Sequence, residues 1–290
     1  MSRWFPEGGL AAVARGQLRV RLAPDAVELV RLSPGLRPGI VHAVRRAVAG
    51  GGSAAAGQPW RGALEAVAEA LRIEPLLGGA PALVAVSDHW VRWLLVPFSA
   101  SLTLDAELQS YARMEFEAVH GERARGWTVC LSAPRPGGAT PACALDASLP
   151  EALREVLHGA GAQLVSLSPG FALAFHRHRK RIGPGPAALA LLEPGRCTLG
   201  VFQEGAWQAI AAPRLPGDPV AALAAELLAV LARGAVASPG TLHVAFASGR
   251  RALPAEVAGW KVEALTEPAV PFTALPADGA GGAIPGPVPS

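Results

Sequence analysis

The chain has 290 residues, of which 51% are hydrophobic and 17% charged. That is enough apolar material for one large domain or two lobes, and it excludes wholesale disorder. The net charge of +3 comes with arginine in place of lysine almost throughout, Lys180 and Lys261 being the only lysines, so the charge alone is a weak argument for nucleic acid or anionic lipid.

In chain order, Gly16–Ala23 alternates apolar and basic residues, and a second largely alternating run follows Pro24, so the two predict a β-hairpin. Gly39–Val48 fits either a third strand or a short helix. Gly50–Gln58 is a loop by composition. Leu64, Val67, Ala68 and Leu71 recur at helical spacing. Ala82–Val86 reads as a buried strand, Ser87-Asp88-His89 as a hairpin turn, and Trp90–Val96 as a return strand, with Trp90 and Trp93 in core packing. A helix follows, with Thr103 as cap, Asp105 and Glu107 in its first turn and Gly121 at its end; Leu104, Leu108, Tyr111 and Met114 or Ala112 make its buried stripe. Strands are expected at Trp127–Leu131 and through Cys143–Leu145. Ser148 and Glu151 form a capping-box pattern before the next helix. A strand runs to Pro169, and a helix then ends in the basic run His176–Arg181. After Gly183–Pro186 come hairpin strands over Ala188–Ile210, a helix from about Asp218 to Arg233, a strand from Thr241, a short helix near Pro254–Ala258 and a last strand at Lys261–Leu265. The order repeats, strands then helix then strand, which predicts an α/β protein with two similarly built halves.

Cys130, Cys143 and Cys197 are odd in number and have no C-x-x-C spacing, so they are expected as buried free thiols rather than a zinc site or disulfide framework. The first residues lack the apolar stretch of a signal peptide, and no window has about 18 uninterrupted apolar residues. A cytoplasmic protein is expected. Ser87, Asp88 and His89 are the residue types of a hydrolase triad, but three consecutive residues on one turn cannot stack as a relay. The run His176–Arg181 fits phosphates or lipid headgroups; the alternative is a helix C-terminus that favours cations, and the absence of interleaved aromatics favours the latter.

The succession Leu83–Phe98, Leu102–Val129, Ser166–His178 and Ala188–Asp218 resembles the PilM-like proteins, the cytoplasmic actin-like components of type IV pilus assembly, to which MshI proteins and the cytoplasmic half of GspL are related. The resemblance rests on Val91, Arg92, Val96 and Pro97, on the helix ending before Trp127, on the step at Pro169 into a helix and on the hairpin after Gly185. It implies a two-lobed actin-like (ribonuclease H-like) α/β fold in degenerate form. A first lobe with an inserted subdomain would span 1–184, a second lobe 185–272, and residues 273–290 a disordered Pro/Gly-rich tail. It also implies docking at the inner membrane by binding a short cytoplasmic N-terminal peptide of a membrane-anchored partner, often with ATP between the lobes.

The nucleotide-binding turns implied by that resemblance fall on Asp25, on Glu193 with Gly195, and on Gly249. Each departs from the family pattern. The hairpin around Asp25 has no glycine, Pro194 and Arg196 interrupt the second turn, and one glycine remains of the third element. Close backbone approach to phosphate needs such glycines, and a proline offers no N–H. The expected function is therefore a non-catalytic scaffold of a pilus or type II secretion-type machine, with no metal, no nucleic acid and no required cofactor. An actin-like ATPase or kinase, with ATP and magnesium held by Asp25 and Glu193, is the alternative. A lipid or nucleic-acid binder using Arg177–Arg181 ranks third.

Overall fold

A computed structural model describes residues 16–35, 38–48, 57–73, 80–102, 104–134, 137–215, 219–234, 236, 239–249 and 251–265. The expected cap Thr103, the expected tail from 273 and much of the loop at 50–58 lie outside the described residues. The described chain divides into two compact units, one holding residues 16–87 and 148–168, the other 88–147 and 169–265.

The first unit is built on a five-stranded sheet in the order β3-β2-β1-β4-β8. Its strands are β1 (Gln17–Leu22), β2 (Ala26–Leu32), β3 (Ile40–Ala47), β4 (Ala80–Val86) and β8 (Ala162–Pro169). Strands β1, β2 and β3 form an antiparallel meander, and β4 pairs parallel to β1. The open choice at residues 39–48 is thus resolved as a strand. β4 is buried along almost its whole length, which explains its continuous apolar run. Helix α1 (Arg61–Ile73) buries Ala63, Leu64, Val67, Ala70 and Leu71. It packs on helix α3 (Ser148–Gly159), which buries Leu149, Leu153 and Leu157. Both helices therefore carry one apolar stripe at helical spacing.

The second unit contains two sheets. The larger has the order β11-β10-β9-β12-β14-β13, from β9 (Ala187–Glu193), β10 (Arg196–Gln203), β11 (Ala206–Ala211), β12 (Thr241–Phe246), β13 (Glu256–Val257) and β14 (Trp260–Ala264). Again three strands form an antiparallel meander, and β12 runs parallel to the first of them. The repeated construction inferred from the sequence is present. Helix α5 (Pro219–Gly234) adds Leu223, Leu227, Val230 and Leu231 to the core on one face of this sheet. On a second cluster, Phe171 and Phe202 pack with Trp93, Phe175 and Trp207. Helix α4 (Gly170–His178) supplies Phe171 and Phe175.

The smaller sheet has the order β5-β7-β6, from β5 (Arg92–Val96), β6 (Trp127–Leu131) and β7 (Thr140–Asp146), all antiparallel. Helix α2 (Asp105–His120) covers it through Ala112 and Phe116.

Four expectations are corrected. Strand β5 does not return beside β4; residues 88–90 form one turn of 3₁₀ helix, and the two strands belong to different sheets. Phe116, not Leu104 or Met114, anchors α2, and those two are 61% and 57% exposed. The short helix expected near Pro254–Ala258 is instead the hairpin β13–β14, because Ala258 and Gly259 both have positive φ, 51° and 81°, which a helix cannot contain. Cys143 and Cys197 are buried free thiols, but Cys130 is exposed.

Candidate functional site

The hairpin β9–β10 pairs Glu193 directly with Arg196, leaving a two-residue loop of Pro194 and Gly195. Proline presets φ at the first loop position, and Gly195 takes φ +72° at the second, the combination of a type II turn. A Cβ at Gly195 would meet nothing within 4 Å, so glycine is required here by φ and not by packing.

Glu193 is buried, and its Oε2 accepts the backbone N–H of Asp88 at 2.9 Å. Beside it, the His89 ring lies 2.9 Å from the carbonyl of Pro194, Nε2 to O. The turn at 88–90 is therefore fastened to the hairpin on both sides. Asp88 is itself fully buried. Its Oδ1 accepts the indole N–H of Trp93 at 2.6 Å, and its Oδ2 accepts the backbone N–H of Phe171 at 2.8 Å. Phe171 is the second residue of α4, and Pro169, at the N-cap position, contributes no side-chain cap. Asp88 supplies that cap from 83 residues away in sequence. Burial, and then the charge of Glu193, push the Asp88 carboxyl up to about 8, against the pull of its two donors. No Ser-His-Asp relay can form, since both Asp88 oxygens are engaged elsewhere.

The structure brings Gly249 to the same end of the sheet. Strand β12 runs parallel beside β9 with Phe246 opposite Leu192, and the Ala247 N–H donates to the Leu192 carbonyl at 2.9 Å. Gly249 follows in a bend with φ +66° and open space around it. Asp25 belongs to the other unit. It sits in the β1–β2 turn, where its carbonyl accepts the Val48 N–H and its carboxylate lies 3.9 Å from Arg45.

The sequence reading missed three arrangements. Arg21 and Glu28 face each other across β1 and β2 and form a buried ion pair at 3.1 Å, with Arg45 3.8 Å from the same carboxylate oxygen. Burial nevertheless raises the Glu28 carboxyl, outweighing both arginines. The hairpin register was the available signal, since a short turn at 23–25 sets these opposite charges directly across from each other. The second is the Asp88 node. The third is a group of arginines around the β9–β10 hairpin. Among the described residues no group of three His, Cys, Asp or Glu side chains could hold a metal. No described helix is long and apolar enough to cross a membrane.

No protein-family model matches the sequence, and no curated protein matches it. Solved structures do match. The cytoplasmic domain of EpsL, an inner membrane component of the type II secretion system of Vibrio cholerae, superposes with a TM-score of 0.56 at 13% identity, covering 86% of this chain and 90% of that one. The PilM-PilN type IV pilus biogenesis complex gives 0.58 at 16% identity, covering 86% and 88%. A Bacteroides thetaiotaomicron protein with an actin-like ATPase fold and unknown function gives 0.56 at 12% identity, covering 83% and 85%. The chain has the actin-like fold, as the sequence resemblance implied.

Proposed function

We propose that this chain is a non-catalytic scaffold of a pilus or type II secretion-type machine, held at the inner membrane by binding a cytoplasmic N-terminal peptide of a membrane partner. The observation that carries this reading is the engagement of Glu193. In a working phosphate turn its carboxylate would face a metal's water shell and the loop would offer backbone N–H groups. Here the carboxylate fastens the 88–90 turn, and Pro194 has no N–H to offer. The likeness of the fold to EpsL and to the PilM-PilN complex supports the setting.

The test is thermal unfolding of the full chain with and without millimolar MgATP, alongside pull-down with cytoplasmic N-terminal peptides of inner-membrane proteins encoded beside it. The scaffold reading expects capture of one such peptide and an unchanged midpoint. Binding of ATP to the folded state would raise the midpoint by a few degrees through mass action. That rise, with no peptide captured, overturns it.

One observation favours a second reading, an actin-like ATPase or kinase binding ATP with magnesium. Gly195 and Gly249 both keep left-handed φ with open space beside them at one end of the sheet. In that case turnover is measurable, and Asp25→Ala and Glu193→Ala each abolish it.

A further inference from the structure

The β9–β10 hairpin carries a second charged arrangement, which neither functional reading uses. Arg196 opens β10 and is only 7% exposed, yet its Nε has no hydrogen-bond partner. An isolated bridge sets Arg214 directly opposite Arg196. It is held by the Cys197 N–H donating to the Pro213 carbonyl at 3.1 Å and the Leu215 N–H donating to the Gly195 carbonyl at 2.9 Å. Arg92 approaches from the 88–90 turn, where its Nη1 donates to the carbonyls of His89 and Val91 at 3.3 and 3.1 Å. That turn is fastened to Glu193 and Pro194. Three arginines from three segments thus come together at one hairpin, Arg196 on it, Arg214 bridged opposite and Arg92 beside the turn fastened to it, close enough for their charges to act on one another.

Asp88 and Glu193 offset the charge of Arg196 in part, while Arg92 and Arg214 oppose it. The acids facing them are Asp88 and Glu193, and both have their hydrogen-bond partners elsewhere. Among the described residues neither carboxylate forms an ion pair with any of the three arginines. After burial, the charge of Arg214 is what lowers Arg92, and that of Arg92 is what most lowers Arg196. A guanidinium taken out of water without a partner is costly, and a bound anion is the direct relief. The planar fork of arginine matches the oxygens of carboxylate and phosphate alike.

We propose that Arg92, Arg196 and Arg214 form a binding site for the oxyanion group of a ligand, a carboxylate or a phosphate, held by side chains instead of by the backbone of the hairpin. The site does not depend on the scaffold reading, and it needs no nucleotide.

The test uses the full chain, with isothermal titration and thermal unfolding in potassium phosphate and in potassium succinate, each against potassium chloride at equal ionic strength. Saturable binding and a midpoint a few degrees above chloride are expected for at least one anion. Saturation by phosphate alone assigns a phosphate-bearing ligand; saturation by succinate alone assigns a carboxylate. Arg214→Gln alters an exposed residue and Arg92→Gln a half-buried one, and each is expected to weaken binding about tenfold or more. Arg196→Gln is read only where its circular dichroism matches the parent. The site is overturned if neither anion exceeds chloride, or if binding survives in both Arg214→Gln and Arg92→Gln. Because MgATP and peptide decide the scaffold reading separately, either conclusion can fail while the other stands.

Discussion

Asp88 shows how a residue that looks chemical in the sequence can be structural in the fold. It joins α4, β5 and the β9–β10 hairpin through two accepted hydrogen bonds and one donated from its own backbone. Asp88→Ala leaves the Trp93 indole and the Phe171 N–H without acceptors, and a buried donor without a partner costs about 1–3 kcal/mol. Urea unfolding of that variant should show a loss of about 2–4 kcal/mol. Glu193 and Gly195 were legible as a turn because proline and glycine dictate it locally. What the Glu193 carboxylate does was not legible, because its partner lies 105 residues away. His243 gives a pH prediction. It is buried on β12, with Glu263 3.4 Å from its Nδ1, and burial, Arg181 and Lys261 hold it below the ordinary histidine value against the pull of Glu263. The unfolded chain then takes up that proton more readily than the folded one. The contribution is present above a pH of about 6.5 and is lost as pH falls through the lowered folded value. Asp88 acts in the opposite sense, since its raised carboxyl favours the folded state below about pH 4 and loses that advantage as pH rises toward about 8. The measurement is therefore a difference: between about pH 7 and pH 5, His243→Gln should lose less stability than the parent.

Elements were legible where burial is one-sided or complete. Strands β4, β9 and β10 announce themselves as continuous apolar runs because both faces are covered, and α1 and α3 as single stripes. Helix α2 misled because it meets only a three-stranded sheet, so a narrow strip around Ala112 and Phe116 is enough and its other apolar residues stay outside. Residues 254–258 misled because the deciding feature is left-handed backbone at Ala258, which nothing in an alanine announces. Gly200 tests how tightly elements pack in the aromatic cluster. A Cβ there would lie 2.7 Å from the Trp207 ring and 3.0 Å from that of Phe171. Trp207 is confined by Phe175 and Phe202, and Phe171 by Trp93 and Trp207, so neither ring can move aside freely. Gly200→Ala is expected to cost about 1–3 kcal/mol by overpacking, measured by chemical denaturation. Gly185→Ala, where a Cβ meets nothing, should leave stability unchanged or slightly raised.

At the scale of the whole molecule, the same construction occurs twice, an antiparallel meander of three strands whose first strand then pairs in parallel with a later one. Each copy has its own apolar centre. In the first unit it includes Leu149, Leu153 and Leu157 on α3 beside α1; in the second it includes Leu223, Leu227 and Val230 on α5. A compact unit with its own core can melt as a unit, so a chain holding two of them need not unfold in one step. Leu153 and Leu227 are both fully buried and lie one in each core. Leucine to alanine in such a place costs about 2–5 kcal/mol, and the loss falls on the cooperative unit that contains it. Calorimetry of the parent should resolve two transitions. Leu153→Ala should lower one of them and leave the other in place, and Leu227→Ala should do the reverse. If either substitution moves a single shared transition, the two cores act as one folding unit, and the division of the chain into two compact units is not a division of its cooperativity.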